Sequence, residues 1–331
     1  MLAIGSPRPD ERTQLIVIDL ASGERRAVSP PDAWVLHWAW SPDGRRIIYA
    51  GDPRHSMQPD YYVADVATGE SRQVTDDPGF VPSSSPAPPV WLDGDRVLLE
   101  VTSAADSELL VLETQSGVFE VIDRAEARQT SMSVDKSRRF VVQVESSPTS
   151  TGELSVYDRE AGARTTITSY NRRLLTNRPP AQYERFEVMS DGGGIDAWLL
   201  KPPEFDPGKR YPVILDVHGG PASLYGSNFM ALQQCLATDG FLVVYANPRG
   251  SSSYGRAFAR ANVRDWGGGD YRDLMAVVDA VLEREYADSD RTGIYGYSYG
   301  GYMTAWTITQ TTRFKAAVCG APLFDLESYW G

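Results

Sequence analysis

Four glycines, at positions 23, 69, 117 and 162, recur every 45 to 48 residues along the first half of this 331-residue chain. That spacing constrains the fold more than any other feature, because a fixed period means one supersecondary unit built again and again. Each glycine follows an apolar run that ends in an acidic residue. Leu15-Ile-Val-Ile-Asp19 leads to Gly23 and Tyr61-Tyr-Val-Ala-Asp65 leads to Gly69. Leu109-Leu-Val-Leu-Glu113 and Leu154-Ser-Val-Tyr-Asp158 lead to Gly117 and Gly162 in the same way. A second signature lies between these units: Trp40-Ser-Pro-Asp43-Gly44, Trp91-Leu-Asp93-Gly94 and Val134-Asp135, each followed by an aliphatic run. Asp-Gly between two strand-like runs is a strong hairpin signal. Four strands per ~45 residues is the period of a β-propeller blade, whereas a single β-sandwich would not predict so regular a repeat. The aspartates read as turn formers, since a short carboxylate bonds its own backbone. No Asp-Gly hairpin precedes Leu15. The expectation for 1–175 is therefore a partial β-propeller of about three and a half blades, short of the usual closed ring.

Near Asn177-Arg-Pro-Pro180 the repeat stops. Strand-like runs follow at 183–188, 195–200, 212–217, 241–246, 292–295 and 316–319, and helix-like segments at 223–238, 270–284 and 299–311 alternate with the later ones. Strands alternating with helices predict a parallel sheet covered on both faces. In the middle helix Leu274, Val277, Val278 and Val281 mark the apolar face, and Asp270 and Asp273 suit the N-terminal dipole. The chain is thus expected to have two domains, 1–175 and 176–331, the second an incomplete α/β-hydrolase fold.

The chemistry is carried by Gly296-Tyr297-Ser298-Tyr299-Gly300-Gly301, placed between a short strand and a helix. G-x-S-x-G in that setting is a nucleophile elbow: Gly296 and Gly300 permit a tight turn that exposes the Ser298 hydroxyl. The backbone N–H of Tyr299, at a helix N-terminus, would face a developing oxyanion. Asp216-Val-His218-Gly219-Gly220-Pro221 follows a strand directly, so a Gly219 or Gly220 N–H would supply the second oxyanion donor. The same two glycines would also serve a plain tight turn. His218 is expected to order this loop by hydrogen bonding rather than to act as a base.

A net charge of -12 argues against a nucleic-acid partner, which requires a basic surface. Two cysteines and three scattered histidines (His37, His55, His218) give no metal-ligand spacing, so no metal and no cofactor are expected. Cys235 and Cys319 lie in apolar segments and read as buried free thiols of a reducing compartment. No apolar stretch is long enough to span a membrane, and the first residues do not read as a signal peptide, so the expected location is cytoplasmic.

Together these motifs resemble the prolyl oligopeptidase family of serine peptidases, and most of all its acylaminoacyl-peptidase-like branch. The matching blocks are Tyr211 to Pro221, Ala246-Asn-Pro-Arg-Gly-Ser251 with Tyr254-Gly255, Asp265 to Asp273, Gly296 to Met303, and Arg313-Phe-Lys-Ala-Ala317. The resemblance implies hydrolysis of short peptides through an acyl-enzyme on Ser298, with the propeller limiting access by size. Arg249 and the 265–273 block match family positions and are expected to serve structure. The family order is Ser, then Asp, then His, and no histidine follows Ser298. Asp325 precedes the family's triad aspartate and is not assigned that role. The chain therefore reads as a piece of a protein roughly twice as long, inactive by itself. Two other readings stay open: a carboxylesterase with the same serine chemistry, and a non-catalytic, propeller-bearing interaction protein. Self-association into homo-oligomers is compatible with all of these readings.

Overall fold

A computed structural model of the chain describes residues 2–7, 13–83, 87–325 and 327. It divides into two compact units: 1–145 with 153–168 and 253–256, and 146–152 with 169–252 and 257–331.

The first unit is built of small antiparallel sheets. One joins β1 (Leu2–Pro7), β2 (Thr13–Ile18) and β3 (Arg25–Ala27). Residues 8–12, ahead of Leu15, lie outside the described residues. The next sheet runs in chain order through β4 (His37–Trp40), β5 (Arg46–Gly51), β6 (Asp60–Asp65) and β7 (Ser71–Gln73). In the third, β8 (Phe80–Pro82) and β9 (Val90–Trp91) pair with different parts of β10 (Arg96–Ser103). That strand is followed by β11 (Asp106–Glu113) and β12 (Phe119–Ala125). The fourth holds β13 (Arg128–Val134), β14 (Phe140–Ser147), β15 (Ser150–Asp158) and β16 (Ala163–Thr166).

The repeat has a clear physical basis. Gly23, Gly69, Gly117 and Gly162 all sit at φ between 62° and 79°, a left-handed conformation that glycine adopts without a Cβ clash. Each donates its N–H to the carbonyl of the acidic residue four positions earlier, at 2.8 to 2.9 Å. The Asp19, Asp65 and Asp158 carboxylates accept further N–H groups inside the same turns. Alternation along each strand then places side chains on both faces. On β5, Ile47 and Tyr49 pack with Leu15 and Val17, while Ile48 and Ala50 pack with Val97 and Leu99. Leu98 and Leu109, on the far face of the third sheet, meet Met132, Val141 and Tyr157. Consecutive sheets therefore stack face on face, and the second and third bury both of their surfaces.

The second unit contains the short helix α1 (Arg172–Asn177) and a six-stranded sheet. Its strands are β17 (Gln182–Ser190), β18 (Gly193–Lys201), β19 (Tyr211–Val217), β20 (Leu242–Ala246), β21 (Ala287–Tyr297) and β22 (Ala316–Gly320). The spatial order is β17-β18-β20-β19-β21-β22; the first two pairings are antiparallel and the other three parallel. The connecting helices are α2 (Ala231–Thr238), α3 (Arg256–Ala259), α4 (Gly269–Leu282) and α5 (Tyr299–Gln310). Leu274, Val277, Val278 and Val281 of α4, with Met303 of α5, pack on Val213, Leu215, Val217 and Val244.

Two local expectations need correction. The helix expected over 223–238 begins only at Ala231, because the Tyr225 N–H and carbonyl are both held by the Asn247 side chain and are not available to a helical ladder. The cysteines are not buried: Cys235 is exposed and Cys319 is partly exposed. On α2 the inward positions go to Gln233 and Gln234, whose amides bond Asp216, Ala181 and Pro148. That orientation turns Cys235 outward.

Candidate active site

The order of the sheet decides where a site can form. From β19 the chain moves to β20 on one side, then crosses back to β21 on the other. The carboxyl ends of β19 and β21 thus flank a topological switch point, where open α/β sheets bind ligands. The His218-Gly219-Gly220 loop leaves one of these ends and Ser298 leaves the other.

Ser298 has φ 58° and ψ −120°, a strained conformation for a residue with a side chain. It is held from both directions: its N–H donates to the Gly320 carbonyl at 2.8 Å, and its carbonyl accepts from the Tyr302 N–H at 3.0 Å. Its hydroxyl makes no helix-capping bond and is left for other chemistry. The elbow glycines are required by contact. A Cβ on Gly296 would fall 2.5 Å from the Gly300 carbonyl carbon, and one on Gly300 would fall 2.9 Å from the His218 oxygen. Tyr299 is the first residue of α5, so its N–H has no intrahelical acceptor.

The structure brings Gly219 to this turn, since a Cβ there would lie 3.6 Å from the Ser298 Cβ. Gly220, next along, sits at φ 121°. His218 is buried, and both ring nitrogens are engaged: Nδ1 lies 2.6 Å from the Gly219 carbonyl and Nε2 lies 3.0 Å from Ser251 Oγ. A carbonyl only accepts, so the neutral ring carries its proton on Nδ1, and Nε2 and the Pro248 carbonyl, 2.7 Å from the same Oγ, share the single Ser251 hydroxyl proton. Burial pushes His218 down to about 4. It orders the loop and is not placed as a general base.

The residues 247–251 bind this site to its scaffold. The Asn247 amide grips the Tyr225 backbone, accepting from its N–H at 2.7 Å and donating to its carbonyl at 2.8 Å. Ser251 holds His218. Arg249 donates through Nε to Asp273 at 2.8 Å and also pairs with Asp191. These hydrogen bonds, chiefly the one to Asp273, hold the guanidinium firmly protonated. Behind the elbow, the Tyr299 hydroxyl donates to Asp270, whose other oxygen accepts the Gly267 and Tyr271 N–H groups. Trp266 packs edge-on against Tyr299 at 5.0 Å. Asp270 and Asp273 are therefore buried anchors of the elbow and the 247–251 loop, and Asp270 also lies in the first turn of α4, where it suits the helix dipole. Burial pushes the Asp270 carboxyl above its usual range. It does the same to Asp216, which accepts from Tyr295 at 2.6 Å, from Gln233 at 2.8 Å and from Tyr225.

Among the described residues no group of three or more His, Cys, Asp or Glu side chains is placed to hold a metal ion. No helix among them is long and apolar enough to cross a membrane.

The prolyl oligopeptidase family model matches residues 227–331, the segment that carries the elbow. Relatives extend the match over the rest of the chain. Dipeptidyl-peptidase 5 of Porphyromonas gingivalis is 28% identical over 95% of this chain and 46% of its own length. A Bacillus subtilis protein named as an uncharacterized peptidase, YuxL, is 43% identical over 44% of this chain and 22% of its own length. Among solved structures, an acylaminoacyl peptidase in complex with Z-Gly-Gly-Phe-chloromethyl ketone superposes with a TM-score of 0.83 at 26% identity, covering 99% of this chain and 52% of that one. The chain spans about half the length of the relatives that match nearly all of it.

Of the residues singled out from sequence, Ser298, Tyr299, Gly296, Gly300, Gly219 and Gly220 all converge on the ends of β19 and β21. Sequence reasoning missed Tyr225 and Asn247 as supports. Nothing near Tyr225 in the chain marks it, because its partner lies 22 residues away.

Proposed function

We propose that this chain carries the nucleophile and oxyanion loop of a serine peptidase that cleaves short peptides through an acyl-enzyme. The observation that carries this reading is the strained Ser298 facing Gly219 across the switch point. Ser298 Oγ attacks the scissile carbonyl, and the Tyr299 N–H with a Gly219 or Gly220 N–H receives the oxyanion. Each such donor is worth about 3 to 4 kcal/mol of transition-state stabilisation. The peptidase names of the relatives support the substrate class, which we take as acylaminoacyl, dipeptidyl or oligopeptide. In this reading 1–175 forms about three and a half blades of a propeller, and 176–331 forms part of the hydrolase domain.

A base is needed to take the Ser298 proton. His218 has both nitrogens committed. We assign the triad Asp and His to sequence beyond these 331 residues, consistent with the chain spanning about half its relatives' length. The isolated chain is then nearly inactive, since losing the base costs about 10⁴ to 10⁶ in rate. A fluorophosphonate probe tests this directly. Rapid stoichiometric labelling of Ser298 in the 331-residue chain would refute the missing base. In the longer protein, Ser298→Ala should abolish hydrolysis of blocked dipeptide substrates, and undiminished turnover would overturn the nucleophile assignment.

A further inference from the structure

We propose that Asn247 is a positioning residue for the oxyanion loop, acting through Tyr225. This rests on the peptidase reading above. The segment between Pro221 and α2 has no helical ladder and few backbone partners: Ser223 N–H donates to Pro221, the Ser223 carbonyl accepts from the Ser252 N–H, Asn228 N–H donates to Gly226 and Phe229 N–H to Ser146 Oγ. At its centre the fully buried Asn247 carboxamide takes both backbone groups of Tyr225, as a neighbouring peptide strand would. The Tyr225 side chain passes this restraint on. Its ring meets the His218 ring edge-on at 5.3 Å, and its hydroxyl bonds Asp216 at the end of β19. His218 in turn holds the Gly219 carbonyl, which shares its peptide group with the Gly220 N–H. The route from Asn247 to the oxyanion donors is thus one backbone grip, one ring contact and one hydrogen bond. An error of about 1 Å at such donors is enough to cost on the order of 10²-fold in rate.

Asn247 does not reach the reacting atoms, so its removal should act on the transition state more than on substrate affinity. In the 331-residue chain, Asn247→Ala should raise amide exchange across 219–226 about tenfold or more, while β19, β20, β21 and α4 keep their protection. Unchanged exchange at 219–226, or equal loss of protection everywhere, would overturn the proposal. Asn247→Asp supplies the second test. A protonated carboxyl both donates and accepts as the amide does, whereas a carboxylate only accepts. Loop protection relative to wild type should therefore be near normal at about pH 5 and fall as pH rises; a pH-independent ratio counts against the proposal. In the longer protein, Asn247→Ala should lower kcat about tenfold or more with KM within about twofold. A rise in KM at constant kcat would refute positioning. If the wild-type protein hydrolyses no peptide, the peptidase reading fails, while the exchange pattern still decides the role of Asn247.

Discussion

Gly219 and Ser298 face each other across the carboxyl ends of β19 and β21, close enough that a Cβ added to Gly219 would lie 3.6 Å from the Ser298 Cβ. The same atom would stand 3.2 Å from the Tyr297 carbonyl, a tight contact that small shifts relieve. Gly300 is different. A Cβ there would fall 2.9 Å from both the Val217 carbonyl carbon and the His218 oxygen, and neither backbone can yield easily. Gly219→Ala should therefore cost less than about 1 kcal/mol, and Gly300→Ala about 1–3 kcal/mol or more. Urea unfolding of the two variants checks the order; equal losses would contradict this account of the elbow.

Arg249 pairs with Asp273, whose side chain is fully buried. Its planar guanidinium lies against two glycines: a Cβ on Gly192 would fall 2.5 Å from Cζ, and one on Gly269 would fall 2.6 Å from Cδ. Arg249→Ala leaves a buried carboxylate without its cation and should cost about 3–5 kcal/mol. Lysine offers a point charge rather than a fork, so Arg249→Lys should recover less than half of that loss. Full recovery in denaturant titrations would show that charge alone matters.

The pH dependence of stability should carry two opposing slopes from the second unit. His218 is pushed down from 6.5 to about 4, so the unfolded chain binds the extra proton first. Its contribution is complete above about pH 6.5 and is lost as pH falls towards 4. Asp216 is raised above 3.8 by burial, so the folded state holds its proton longer, and stability falls as pH rises through the folded value. His218→Gln should flatten the acid limb, and Asp216→Asn should flatten the decline above pH 3.8. Proton NMR of the three histidines offers a direct check: the His218 ring should titrate near 4, and a midpoint near 6.5 would contradict its burial.

The turn glycines permit a test free of packing. Gly23 has φ 74° and no atom within 4 Å of a built Cβ, so any penalty there is conformational. Gly23→Ala should cost about 1–2 kcal/mol, and Gly23→Asn less, because Asn tolerates the left-handed region. Equal midpoints for the two variants in thermal unfolding would argue against strain as the reason for glycine.

Periodicity and turn chemistry are local properties, and they were legible. The glycine repeat, the Asp-Gly hairpins and the apolar face of α4 each follow from rules that act over a few residues. The elbow was legible for the same reason, since Gly296, Ser298 and Gly300 are neighbours in the chain. The start of α2 was not, because the helical potential of 223–230 loses to an amide 22 residues away. The outward turn of Cys235 was hidden likewise: composition favours Cys over Gln for burial, but Gln233 and Gln234 have buried hydrogen-bond partners waiting for them.

By itself the sequence determined a repeated β unit, a strand-and-helix half and a serine on a glycine-flanked turn. Only the tertiary structure decided that β19 and β21 are neighbours, that Gly219 therefore meets Ser298, and that His218 spends one nitrogen on its own loop and the other on Ser251. The reason is physical: a turn is chosen by short-range sterics and hydrogen bonds. The partners of a buried polar group are chosen by whatever the finished sheet brings within reach.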